Sequence, residues 1–353
     1  MLAVLLPLAG GLLGVWLLIS AAMAWGARRA ESLKGLPGPE AFRRPPTAGS
    51  EAPRARIAFL GDVQRGIADI DGPLSEALRA DGADLLVSSG DLVSHGEAPY
   101  YGIAIRGLEQ SLAVVPMRAV PGNHDLMPRR SKDDRIGGAL FEERFGARRF
   151  ALRCGPVLVV GIDNGAPWLV EDQLPWLEAT LAEHAGTPWI LVCHIPVHLF
   201  DQPERPTPED MTCLLPVLAK QPPALVVSGH LHAFFDETID GVRHIVNAHG
   251  GDVHGLAIRR EDFQVLWVDV TADGVDAEVK SYARKRNSRT YLDQLAVRFW
   301  SDRRKWWGAL LAWPGRMVLS LFGADVPVER HPVERRHPPK DVLVARRREE
   351  LVS

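Results

Sequence analysis

The chain has 353 residues, a formal net charge of −3 and 46% apolar residues, enough for one large domain with appendages and without the bulk positive charge of a nucleic-acid coat. Cys154, Cys193 and Cys213 are odd in number and lack a CxxC spacing. Two of them sit in apolar runs and read as buried thiols, which suits a reducing compartment.

Residues 1–25 carry no charged side chain. As a helix they would span roughly 37 Å, against about 30 Å of hydrocarbon, so residues 1–26 read as a transmembrane anchor. A cleaved signal peptide is the rival, because Ala22-Met23-Ala24 has the small-x-small form, although no Lys or Arg precedes the run. Arg28, Arg29, Lys34, Arg43 and Arg44 follow it, which places the remainder in the cytoplasm, or outside if the segment is an export signal. Residues 27–55, rich in Pro, Gly, Ala and Arg, read as a linker.

From residue 56 to 282 the pattern is that of an α/β domain. Ile57–Leu60, Leu85–Val87, Val114–Val120, Val157–Ile162, Trp189–Val192 and Ala224–Val227 read as strands. Helices are expected around Leu74–Leu78, over 103–112, near Phe141–Phe145 and over 171–184, the last with Leu174, Leu177 and Leu181 as a packing face. Arg243–Val246, Leu256–Ile258, Phe263–Val270 and Val275–Val279 read as antiparallel strands completing a second sheet. Residues 283–325 then combine a basic stretch with a Trp-rich one interrupted by Pro314-Gly315-Arg316, the composition of a helix lying in an anionic membrane interface or, alternatively, packed on the domain. Residues 326–353, rich in Pro and Arg, read as a disordered tail.

Five strand ends share one design: an apolar run, a Gly or Pro, then Asp or His. They are Gly61-Asp62-Val63-Gln64, Gly90-Asp91, Pro121-Gly122-Asn123-His124-Asp125, His194, and Gly229-His230-Leu231-His232. A lone Asp after a strand is commonly a helix cap, and a lone His a satisfied rim residue. Together they form a set of oxygen and imidazole ligands suited to two divalent metals bridged by one carboxylate.

In this order the motifs resemble the calcineurin-like metallophosphoesterases over residues 56–270. The resemblance implies a four-layer αββα sandwich of two mixed sheets and two divalent ions (Mn, Fe or Zn). Asp62, Asp91 and His232 would hold one ion; Asp91, Asn123, His194 and His230 would hold the other. It further implies hydrolysis of a phosphate mono- or diester by a metal-bridged hydroxide, with His124 as general acid and Asp125 orienting it. One position departs: many members have Asp-x-His where this chain has Asp62-Val63-Gln64, leaving Gln64 as a weak ligand or a supporting residue. A purple-type Tyr ligand is also missing, since Ser94 stands there; His95 next to it could approach the metal. His249 and His254 could line the cleft but read rather as surface-loop residues. The anchor and the basic segment point to a membrane partner and a phospholipid or lipid-linked substrate, with no nucleic acid. The alternative function is a non-catalytic metal-binding scaffold with a weakened first site.

Overall fold

The computed structural model describes residues 2–128, 134–165, 170–198, 209–247, 250 and 262–302. His249, His254, Leu256–Ile258, the Trp-rich run of 306–323 and the tail lie outside them.

Alternating apolar residues in the strands build the fold. In the first sheet, β1 (Ala55–Leu60), β2 (Leu85–Ser88) and β3 (Met117–Ala119) run parallel. The second sheet contains β4 (Phe150–Cys154), β5 (Val157–Gly161), β6 (Trp189–Val192), β7 (Leu225–Ser228), β8 (Phe234–Ile239) and β9 (Val242–Asn247), in the order β4-β5-β6-β7-β9-β8. Its central four strands are parallel and both edges antiparallel. Each sheet therefore mixes directions, as expected for this fold class.

The last two strands, β10 (Asp262–Thr271) and β11 (Gly274–Ala283), correct the expectation that they complete the second sheet. They return to the first, whose order is β11-β10-β1-β2-β3, with Ala55 opposite Val270. Leu266, Val268 and Val270 enter the core shared by both sheets; their alternation suits either inner face, so pattern alone did not choose between them. The short edges β4 and β8 were not anticipated.

Because side chains alternate along a strand, each sheet feeds two cores. Ile57, Phe59 and Val87 meet Val159, Val192 and Val227 between the sheets. Ala58, Leu60 and Leu86 face outward onto α2 (Ile67–Ala80), α3 (Ala98–Gly107) and α6 (Asp134–Phe145) through Leu74, Tyr101 and Phe141. On the far side, Val160, Leu191 and Val226 pack under α7 (Leu174–Glu183) and α8 (Leu215–Lys220). The layers are helix, sheet, sheet, helix.

The single helix expected over 103–112 is two, α3 and α4 (Glu109–Val114). Val115 before Pro116 is extended, which ends α4 and delays β3 to Met117. Between β3 and α6 the Asn123–Leu126 stretch forms a single helical turn, α5.

The N-terminal helix α1 runs Leu2–Lys34, past the boundary drawn at residue 26. Among the described residues no helix is long and apolar enough to cross a membrane, so the fold does not support the expected span. The last turns of α1 carry Arg28, Arg29, Glu31 and Lys34 and bury Ala30 and Leu33 in the domain, so the helix continues from the expected anchor into the fold. Nor is 27–55 an unpacked linker. Phe42 is buried and stacks on Phe145 at 4.7 Å, and Arg44 donates to the Leu112 carbonyl at 2.6 Å.

The helix α9 (Ser288–Ser301) packs on the domain, while residues 303–325 of the basic, Trp-rich segment lie outside the described residues. Its Asp293 is fully buried and pairs with Arg29 of α1 and with Arg106 of α3 at 2.7 Å. Basic neighbours find partners on the domain too: Arg286 faces Asp69 at 3.1 Å, and Arg284 donates to the Asp262 carbonyl.

Candidate metal centre

Register brings the motifs together. Leu60 lies opposite Ser88, and Ser88 opposite Ala119, so the turns after β1, β2 and β3 leave one edge side by side. In the second sheet Val192 lies opposite Val227, and Ser228 opposite Val246, which aligns the turns after β6, β7 and β9. Packing of the two inner faces sets both rows of turns against each other. Carboxylates and amides arrive from the first sheet, imidazoles from the second.

The turns are strained. Six described non-glycine residues have positive φ, and five of them are Asp62, Gln64, Asp91, His230 and His232 at +52°, +38°, +56°, +71° and +50°. Left-handed backbone is disfavoured for side chains with a Cβ, and it persists where surrounding contacts force it. Close approach also demands glycine: a Cβ on Gly122 would stand 2.1 Å from Asp91 Oδ1, and one on Gly229 2.4 Å from Asp62 Oδ2.

The expected ligands converge. Nitrogen and oxygen atoms of Asp62, Asp91 and His194, all buried, lie within 4.8 Å of one another. Asn123 Oδ1 lies 3.0 Å from His194 Nε2 and 3.1 Å from His230 Nδ1. His194 Nε2 is 3.5 Å from Asp91 Oδ1, and His232 Nε2 is 3.2 Å from Asp62 Oδ1. Backbone bonds fix the carboxylates: the His230 amide donates to Asp62 Oδ2 and the His124 amide to Asp91 Oδ1, each at 2.9 Å.

Two findings show that this donor set fits cations. Asp62 Oδ1 is buried and receives no backbone donor, its neighbour being the His232 ring at 3.2 Å, an arrangement that is costly unless a charge compensates it. The His194 Nδ1 lies 2.9 Å from the Ser89 carbonyl, which makes Nδ1 the protonated nitrogen and leaves the neutral ring's Nε2 lone pair facing the Asn123 oxygen. A cation held by both atoms would relieve that repulsion.

Burial and neighbouring charge shift the groups of the site in different directions. Burial raises the Asp62 carboxyl above its usual range despite His232 and His194 beside it. Burial pushes the His194 ring down, but Asp91 and Asp62 outweigh it and the net direction is up. Burial beside His194 lowers His230 to about 4, keeping that imidazole neutral as a ligand must be.

Asp125 corrects an expectation. Its carboxylate does not hold the His124 ring; it accepts the amides of Asp91, Val93 and Gly122 at 2.8, 2.9 and 2.8 Å. Burial, with Asp91 close by, raises it to about 7. It is a positioning residue that ties the β2 turn to the β3 turn. The His124 ring is held instead by the Ser94 carbonyl, 3.0 Å from Nδ1. His95 stands beside it, its ring 6.4 Å from that of His124 and edge-on to Tyr100. Gln64 Nε2 donates to Asp91 Oδ2 at 2.8 Å.

Asn164 was missed. Fully buried, it accepts the amides of His194 and Ile195 at 2.7 and 3.0 Å and donates to the Ile195 carbonyl. Gln173 in turn grips the backbone of Asp163 from both sides. The signal was present, since Asp163-Asn164-Gly165 follows a strand as the other five turns do.

A family model described as calcineurin-like phosphoesterase matches residues 55–234. No curated protein sequence matches the chain. Among solved structures, purple acid phosphatase PPD1 from yellow lupin (Lupinus luteus) seeds is similar, with a TM-score of 0.52 and 14% identity over 70% of this chain and 56% of that one. The chain thus spans little more than half the length of the lupin protein, and a likeness at that identity concerns the fold. GAP50 of Plasmodium (TM-score 0.48, 14% identity, 69% of this chain and 95% of that one) and PhoD (0.48, 11%, 68% and 72%) resemble it more weakly. With the family match covering about half of its length and the six turns meeting at one edge, the chain belongs to the calcineurin-like phosphoesterases.

Proposed function

We propose that the protein hydrolyses a phosphate mono- or diester with two divalent ions, Mn, Fe or Zn. Asp62, Asp91 and His232 would hold one, and Asp91, Asn123, His194 and His230 the other. When bound, such ions neutralise charge on the phosphoryl oxygens and lower the pKa of a water from near 16 to about 7. The observation that carries the reading is the meeting of Asp62, Asp91 and His194 within 4.8 Å from three distant turns.

His124 supplies the proton. Its Nδ1 faces the Ser94 carbonyl and is therefore the fixed donor, so Nε2 is the atom that can carry a transferable proton to the leaving oxygen. Asp91 holds the His124 backbone through its amide, which couples ring placement to the carboxylate that both ions would share. Asp125 keeps the two turns in register from below.

The experiment is turnover of a phosphoester panel by the purified protein after stripping and reloading with Mn, Fe or Zn. Metal-dependent hydrolysis supports the reading. Metal binding without turnover of any ester would favour a scaffold.

A narrower reading concerns location. Residues 1–25 are uncharged, and Val15, Trp16, Leu17 and Leu18 are 47%, 42%, 53% and 72% exposed. Four successive helical residues point to all sides of the axis, so this part of α1 is apolar all round, a surface suited to lipid. It supports a membrane-associated protein, with the cytoplasmic side favoured by the basic residues that follow, and a phospholipid or lipid-linked ester as substrate. Equal turnover of soluble p-nitrophenyl esters and lipid esters, with and without vesicles, would remove the lipid substrate.

A further inference from the structure

We infer that the two ions are held unequally, because Gln64 is not a ligand but the donor that fixes the shared carboxylate. This rests on the metal-dependent reading above.

Gln64 grips Asp91 twice. Its backbone amide donates to the Asp91 carbonyl at 3.1 Å, and its side-chain Nε2 donates to Asp91 Oδ2 at 2.8 Å. Both residues are buried, and both backbones are left-handed, at +38° and +56°. Turning the amide over would set its oxygen against the carboxylate oxygen, so the nitrogen is the atom that faces Asp91.

Asp91 is then fully placed by the chain. Oδ2 accepts from Gln64, and Oδ1 accepts from the His124 amide at 2.9 Å. Each oxygen keeps one lone pair for an ion. What remains around the two positions differs. On one side stand Asn123, His194 and His230, already gathered at 3.0 and 3.1 Å around one oxygen. On the other stand, among the described residues, Asp62 and His232, with their contact at 3.2 Å. An imidazole at position 64 would make the counts equal; an amide that spends its nitrogen on Asp91 does not. The Asp62–His232 ion is the loose one, and Gln64 acts on both ions through the carboxylate they share.

The test is metal content and calorimetric titration with Mn²⁺ on the full chain. After loading and desalting, the native protein should retain about one ion per chain, the second binding roughly tenfold or more weakly. Gln64→His should raise retention toward two ions by tightening the weak step about tenfold. Gln64→Leu removes the donor without adding a ligand and should weaken the tight step itself by about 10-fold or more. Native protein retaining two ions of equal affinity overturns the inference. So does Gln64→Leu losing the weak ion while the tight one binds as in native protein, since that marks Gln64 as a ligand. If Gln64→His does not fold, as judged by its thermal melt, the native and Gln64→Leu titrations decide. Native protein binding no ion overturns the metal-dependent reading as well, an outcome distinct from two equal ions.

Discussion

The two sheets contribute unlike halves to one centre. The first delivers Asp62, Asp91 and Asn123 from turns after β1, β2 and β3; the second delivers His194, His230 and His232 from turns after β6 and β7. Alone, the first half is an uncompensated pair of buried carboxylates, and burial raises Asp62. The second alone is a cluster of imidazoles, in which burial and a neighbouring ring lower His230 to about 4. Brought together, the carboxylates supply negative charge and the imidazoles supply nitrogen donors, a set suited to divalent cations. The apolar seam between the sheets therefore sets the distance on which the chemistry depends.

The sharpest way to break this relation is at the residue facing both halves. Asp91→Asn keeps the shape but removes the anion that the proposed ions would share, and its amide would meet the Gln64 amide instead of accepting from it. Metal-dependent turnover should fall at least about 10³-fold, with fewer ions retained per chain. Activity within a few-fold of native, at native metal content, would show that Asp91 is not the shared ligand.

His124→Asn sharpens the comparison by leaving both halves intact. Loss of the proton donor should lower kcat about 10²- to 10³-fold with metal content unchanged. Esters with good leaving groups should be less affected than alkyl esters, because they need less protonation. A drop in metal content together with kcat would instead make His124 a ligand.

Much of this was legible before folding was considered. Apolar runs ending in Gly or Pro and then Asp or His announced the turns, since a strand stops at such a breaker and the polar side chains after it collect at the strand end. Less could be read of Asn164, whose amide side chain serves backbone groups of a turn 31 positions away. Such a bond has no local spacing to betray it. The return of β10 and β11 to the first sheet was hidden for the same reason, because strand alternation encodes which face is buried and not which neighbour lies beside it. Asp125 misled because its adjacency to His124 suggested a pair, whereas a one-turn helix points the carboxylate back at Gly122 and toward the β2 turn.

Asn164→Ala touches the imidazole half alone. It removes the acceptor for the His194 and Ile195 amides and leaves both buried. Metal affinity at the position shared by Asn123, His194 and His230 should weaken about 10- to 100-fold. The Asp62–His232 position should change much less, and a titration that shifts both steps equally would mean the variant has loosened the whole seam.

The smallest effect separates a buried histidine of the second sheet from the candidate ligands. His244 on β9 shares the face of Val242, packs edge-on to His198 at 4.9 Å, and is 4% exposed. Burial, with His198 beside it, lowers the ring to about 4. Above pH 6.5 it is neutral in folded and unfolded chains and costs nothing. Between about 6.5 and 4 the unfolded chain takes up a proton that the folded one does not, so stability falls as pH falls. From pH 7 to pH 5 the loss is about 2 kcal/mol from this group. His244→Gln should remove that share of the acid slope in denaturant melts of metal-stripped protein, where the ligand histidines contribute equally to variant and native chains. An unchanged slope would mean that the ring is protonated in the folded chain at pH 5, with its charge accommodated on the outer face of the second sheet.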